Sequence, residues 1–185
     1  MVETLLDAGA RVLIREGYSR TTTNRVAQEA GVSVGSLYQY FPSKDAIVVA
    51  LLRRHRRAML EVLATQLAGI DRAPVETAVR EVIRAMLKAH GVNPRLHKVM
   101  IEQLLRSDAR AEVGDFEPKL EELVRAALMA RKDRLRAKHV DLAAFLLVRL
   151  VISVSQTVVV DRPARSRDPR LEDEMTDLVL RYLVA

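Results

Sequence analysis

Ser33, Ser36, Tyr38, Gln39 and Tyr40 fall within eight consecutive residues, SVGSLYQY. Their hydroxyls and amide can reach phosphate oxygens or the edges of nucleic-acid bases. Four of the chain's seven aromatic residues, Tyr18, Tyr38, Tyr40 and Phe41, lie in the same short region, residues 17–44. Lys44 follows at the start of a helix, where its charge opposes the helix dipole. A phosphate beside it would offset that cost, and a lysine left in solvent is the alternative.

These side chains need two short helices to hold them. Gly17 follows an apolar-periodic stretch and can end a helix. Thr21, Thr22 and Thr23 each offer a hydroxyl to cap the next. That helix carries a small apolar stripe of Val26, Ala27 and Ala30, and Gly31 ends it. Ser33 is the next natural N-cap and opens a helix over Val34–Tyr40. Gly35 lies in its first turn, where the missing side chain lets a phosphate approach. Pro42 stops the helix, because the residue before proline is pushed out of helical geometry. Ser43 then caps the following helix. Two short helices joined by a glycine-containing turn are the outline of a helix-turn-helix.

The run from Leu6 to Leu52 resembles the DNA-binding domain of the TetR (tetracycline-repressor) family of bacterial transcription regulators. The matching pieces are GYSRTTTNRVAQEAGVS, VGSLYQYF and PSKDAI, in that order. The resemblance implies an all-α homodimer: an N-terminal three-helix DNA-binding unit, then a C-terminal bundle that binds a small ligand and dimerises. It places DNA contacts at Thr23 on the first motif helix, at Ser33, Val34, Gly35, Ser36, Tyr38, Gln39 and Tyr40 on the second, and at Lys44. Tyr38 and Lys44 would contact phosphates, and Gln39 would read bases. Val34 departs from a position that is often polar or basic; a thymine methyl contact is open to it. Leu37 and Phe41 are core, and Tyr40 is divided between core and phosphate contact. The family's basic lead-in before the first helix is absent from these residues.

Composition agrees with such a reading. Of 185 residues, 49% are apolar and only 4% aromatic, so the core is aliphatic. There is no cysteine, which excludes disulfides and thiolate metal sites. The start, MVETLLDAGARV, lacks the basic region and apolar run of a signal peptide, and a cytoplasmic location is expected. Residues 1–57 hold nine Lys/Arg against five Asp/Glu, whereas 58–185 hold 21 against 19. Most of the positive excess therefore sits with the motif, as an electrostatic footprint for DNA should. The tract Arg53, Arg54, His55, Arg56, Arg57 belongs to it, with a solvated helix face as the alternative.

The remaining elements are helices with clear punctuation. The first covers about Val2–Glu16, by the spacing of Val2, Leu5, Leu6, Val12 and Leu13. A helix beginning at Ser43 runs to about Ala68. The domain boundary is expected near Arg53, inside that helix, giving domains 1–52 and 53–185; a shared helix can carry a tilt between them. Further helices are expected from Pro74 to His90, over Leu96–Ser107, over Lys119–Arg136, over Leu142–Val160 and over Leu171–Val184, with a broken connector at Asp108–Pro118. The segment 142–160 has the length of a membrane span, but Arg149 near its middle would be costly in lipid. It reads as a central helix of a bundle, and no membrane partner is expected. The resemblance implies that the last two helices pair across a twofold axis.

Met86, Met100, Leu104, Phe116, Leu120, Leu123, Phe145 and Arg149 are the candidates to line a ligand pocket, with ordinary core as the alternative for the apolar ones. The four histidines, His55, His90, His97 and His139, form no metal-ligand turn, and no Ser/His/Asp arrangement, glycine-rich phosphate loop or HExxH occurs. No enzyme, metal or cofactor is expected. The leading reading is a ligand-responsive homodimeric repressor. It would bind double-stranded DNA at an inverted-repeat operator and be released by a small-molecule effector. A sequence-tolerant architectural DNA-binding protein and a helical small-molecule carrier are the alternatives.

Overall fold

The computed structural model describes residues 1–68, 70, 72–91, 93–106, 114–162, 165 and 168–184. The regular elements among them are all helical: α1 (Val2–Glu16), α2 (Thr23–Ala30), α3 (Val34–Tyr38), α4 (Lys44–Leu67), α5 (Val75–Gly91), α6 (Pro94–Arg106), α7 (Phe116–Met129), α8 (Val140–Val160) and α9 (Arg170–Leu183), with a short 3-10 turn at Lys132–Arg134. They form two compact units. One comprises Met1–Arg56 and Asn93–Gly114, the other Arg57–Val92 and Asp115–Ala185.

In the first unit α1 packs on α2 and α6, and α2 on α3. Leu5, Leu13, Val26, Leu37 and Ile47 are fully buried in its core, which Phe41, Leu51 and Met100 extend. Each large aliphatic side chain so buried contributes roughly 1.5–3 kcal/mol. Gly9 sets how closely α1 and α4 approach: a Cβ there would lie 2.7 Å from Ile47 Cγ2. Ion pairs tie the same helices from outside. Arg11 and Arg15 reach Glu29 at 2.8 and 3.0 Å, Arg25 pairs with Glu16, and Arg54 on α4 holds both Glu3 and Asp7 of α1.

In the second unit α5 packs on α8 and α9, and α7 on α8. Ile83, Leu120, Ala143, Ala144, Leu147 and Val179 lie at the centre. Arg84 bridges α5 to Glu172 of α9 at 2.8 Å. His90 is buried at the end of α5, with Nδ1 2.8 Å from the Met86 carbonyl oxygen. Burial lowers its pKa, and the bond to Met86 only partly opposes this. The apolar length of α8 is explained on one face by packing of Ala143, Ala144, Leu147 and Ile152, whereas Leu142, Phe145 and Leu146 are exposed.

Several expectations need correction. The helix expected over 34–40 is helical only to Tyr38; the Tyr40 and Phe41 amides both donate to the Leu37 carbonyl, which tightens the last turn before Pro42. The helix expected over Lys119–Arg136 begins at Phe116 and ends at Met129. Pro118 fits its first turn, where a missing N–H leaves nothing unsatisfied. Beyond it, the Arg136 amide donates to the Leu183 carbonyl at 2.8 Å instead of continuing the helix. Of the expected connector at 108–118, residues 108–113 lie outside the described residues. Helix α6, expected within 53–185, packs instead with the first unit, where Leu96, Val99 and Met100 meet its core.

Two stability tests follow from this packing. Gly9→Val should lower the unfolding free energy by about 2–3 kcal/mol, because Ile47 is held by its neighbours and cannot yield; denaturant unfolding measures it. His90 stays neutral in the fold, while the unfolded chain takes up a proton below its ordinary pKa of about 6.5. Stability should therefore fall as pH drops from about 6.5 toward the lowered folded value. The loss between pH 7.5 and 5.5 should be smaller in His90→Gln, and an equal loss would remove His90 as its source.

Candidate nucleic-acid interface and cavity

The motif is built by local chemistry. Thr22 is the cap of α2, its hydroxyl accepting from the Arg25 amide at 3.3 Å. Gly31 ends α2 with φ 71° and ψ 30°, a left-handed conformation that glycine takes without strain. Ser33 then caps α3: its Oγ accepts from the Ser36 amide at 3.0 Å and lies 2.8 Å from the Ser36 hydroxyl. Ser43 caps α4 through the Ala46 amide at 3.1 Å.

On this frame Leu37 and Phe41 are buried, and the residues between and beside them face out. Tyr38 is 51% exposed and Tyr40 46%, so Tyr40 is a surface residue and not core. Ser33, Gly35 and Gln39 are also exposed. A Cβ at Gly35 would meet only Ser33 Oγ, at 3.8 Å, which leaves the approach to that backbone open. The Thr23 and Tyr38 hydroxyls stand 3.1 Å apart, which brings the two motif helices' polar groups together. Val34 is the exception: it is half-buried and packs against the core.

Lys44 is anchored rather than free. Its Nζ donates to the Tyr18 carbonyl at 3.3 Å and lies 4.1 Å from the centre of the Tyr18 ring, while the Tyr18 hydroxyl bonds Asp45. This cation–π contact and the hydrogen bond fix the ammonium beside the motif. The basic tract is partly structural. Arg54 is committed to Glu3 and Asp7, and the His55 ring meets that of His97 edge-on, with centroids 5.1 Å apart.

The second unit holds a partly open apolar cavity of about 100 Å³. Among the described residues its wall is entirely Ala, Val, Leu, Ile and Met, from α4, α5, α7, α8 and α9 and from Ile70. Of the expected pocket residues, Met86 and Leu120 line it. Phe116 is buried beside them but does not line it, and Leu123 is half-buried behind it. Met100 belongs to the first unit's core. Phe145 and Arg149 are on the exposed face of α8, where Arg149 pairs with Glu117 and Glu121 and stacks 5.4 Å from the Phe145 ring. Intrahelical stacking and acidic partners on α7 account for that arginine without a ligand. The Leu104 side chain lies outside the described residues. Wall residues such as Val79, Ile83, Val124 and Val151 were missed; their helical spacing marks them as inward, but nothing in a stripe shows which inward residues leave a gap.

Comparison with known proteins agrees with this geometry. The family model "Bacterial regulatory proteins, tetR family" matches residues 5–51, and "Tetracyclin repressor-like, C-terminal domain" matches residues 74–183. The nucleoid occlusion factor SlmA of Glaesserella parasuis is 31% identical over 122 residues, 64% of this chain and 59% of that protein. The chain spans about three-fifths of the length of the first curated relatives it matches. Among solved structures, the fatty acid degradation regulator FadR from Bacillus halodurans superposes with a TM-score of 0.75 at 18% identity, covering 97% of this chain and 98% of its own. A TetR-family regulator from Mesorhizobium loti gives 0.76 at 16% identity, covering 100% and 96%. At those identities the likeness is one of fold. With both family models matched in order over most of its length, and with the helix-turn-helix formed as described, the chain belongs to the TetR family of bacterial transcription regulators.

Proposed function

We propose that this regulator is a homodimeric repressor that binds an inverted-repeat operator and is released by a small-molecule effector. The observation that carries the DNA half is the outward row of Ser33, Gly35, Tyr38, Gln39 and Tyr40 on a helix pinned from behind by Leu37 and Phe41. Thr23, Ser36 and the fixed Lys44 flank that row and complete the contact set, with Val34 offering a methyl surface at its edge. Two copies related by a twofold axis present two such helices, and half-site spacing follows from their separation.

Dimerisation through α8 and α9 is supported by their exposed apolar side chains: Leu142, Phe145 and Leu146 on one, Leu178 and Tyr182 on the other. Rows of large apolar residues facing water at helical spacing are what a partner helix covers. The aliphatic cavity of the second unit is the effector site in this reading. An effector acts by binding the state with low DNA affinity more tightly than the other, and differential affinity sets the size of the response.

Selection of bound duplexes from a random pool at moderate salt tests the proposal. An enriched inverted repeat is expected; binding with no motif that vanishes as salt rises would leave only phosphate attraction and overturn it. On the selected site, Lys44→Ala and Tyr38→Ala should weaken all sequences alike, and Lys44→Ala should reduce the salt slope by about 1. Gln39→Ala should instead relax preference at particular base pairs by about 1–3 kcal/mol. Equal losses on selected and random DNA for all three would remove Gln39 as a base reader.

A further inference from the structure

We infer that Arg131 receives the oxyanion end of an effector whose aliphatic part fills the cavity of the second unit; this rests on the reading of that cavity as the effector site. The cavity wall offers no hydrogen-bonding side chain among the described residues, so it takes hydrocarbon and rejects a polar group. A cavity of about 150 Å³ holds benzene, so one of about 100 Å³ holds about four carbons without rearrangement, and the rest of a six-carbon chain extends toward the polar end. A soluble effector of that kind needs a polar end, and that end needs a partner outside the wall.

Arg131 is placed to be that partner. It is only 6% exposed, and the one hydrogen bond of its guanidinium among the described residues runs from a terminal nitrogen to the Ala73 carbonyl oxygen. Nε and the other terminal nitrogen have no partner there. A guanidinium presents a planar fork suited to carboxylate or phosphate, and a buried one without an anion is costly. Its chain position ties it to the cavity. Ala127 and Leu128, one turn earlier on α7, are wall residues; so are Ile70 and Ala78, which bracket Ala73. Arg131 itself follows the end of α7 and lines a small polar recess with residues 129–134; its bond to Ala73 ties that recess to the segment before α5, which carries Ile70 of the wall. Exposed Lys132, Asp133 and Arg134 follow; the two cations outnumber the one carboxylate and leave a net positive potential that draws an anion in. The simpler role is a latch: an arginine after a helix C-terminus that meets the dipole and one carbonyl.

The full chain titrated by calorimetry with hexanoate, hexyl phosphate, 1-hexanol and hexylammonium separates the two. Hexanoate or hexyl phosphate should bind at least tenfold more tightly than hexanol, and hexylammonium more weakly than hexanol. The stronger of the two anions identifies the oxyanion as carboxylate or phosphate. Arg131→Gln should lose tenfold or more for the anion and change hexanol affinity less than twofold, which also shows that the variant keeps its cavity. Arg131→Lys should retain part of the anion preference. Asp71→Asn should leave anion affinity unchanged; a severalfold rise would mean that this carboxylate already answers Arg131, and would overturn the proposal. Hexanol binding as well as the anions would overturn it too, while leaving the cavity as an effector site. Anion binding that depends on Arg131 without altering affinity for the selected operator would uphold the inference and defeat the ligand-responsive reading instead.

Discussion

The burial of Leu37 is the contact on which the outward surface of the helix-turn-helix depends. A helix of five residues does not persist alone, since nucleation costs more than so few hydrogen bonds return. It persists because Leu37 is fully enclosed by the first unit's core, with Phe41 buried one turn on. The Ser33 cap and the left-handed Gly31 then fix where that helix starts and the direction in which it leaves α2. Everything that faces outward, from Gly35 to Tyr40, is thereby oriented by what faces inward. Substitutions behind the surface and on it should be told apart by their effect on stability rather than by DNA affinity alone.

Charge works at two ranges in this unit. The excess of Lys/Arg over Asp/Glu in residues 1–57 gives a long-range field regardless of how the groups pair. At short range most named arginines are already occupied: Arg11 and Arg15 by Glu29, Arg25 by Glu16, Arg54 by Glu3 and Asp7. Arg11 foremost, and then Arg15, holds the Glu29 carboxyl below its ordinary range. Because these pairs are largely exposed they add little stability each. What they do is join α1 to α2 and to α4, so that the scaffold around the motif is crossed by several weak ties. A count of basic residues therefore states the sign of the field correctly and overstates the number of side chains available for contact.

What could be read from the sequence divides by range of interaction. Gly31, Ser33, Ser43 and Pro42 act on residues within one turn, so their structural roles follow from residue type, and the start of α3 was legible to the residue. The motif also carried the family. The end of α3 was not legible, because the choice between Tyr38 and Tyr40 is settled by two amides competing for one Leu37 carbonyl. Nor was the end of α7, which depends on an amide–carbonyl bond between Arg136 and Leu183, 47 positions apart in the chain. Helix α6 reads as one more amphipathic element, and nothing in its stripe says which core it will join. The pocket failed for the same reason: Met86 and Leu120 were found, but Arg149, chosen for its charge in an apolar run, is neutralised on the outer face by Glu117 and Glu121 of α7.

The cavity is a feature that packing alone does not favour. Aliphatic cores close to crystalline density, and an empty volume costs on the order of 24 cal/mol per Å³. About 100 Å³ left open among eighteen side chains, and not wholly enclosed, corresponds to at most roughly 2 kcal/mol of stability forgone. Val79, Val82, Val124, Val148 and Val151 stand in that wall where a leucine or isoleucine would reach further in. A ligand that supplies the missing hydrocarbon recovers part of that energy in whichever conformation keeps the cavity open. It recovers none in a conformation that has collapsed onto it. On the proposed reading of the cavity as the effector site, the void adds a volume term to the coupling of occupancy and conformation, beside whatever the ligand's polar end contributes.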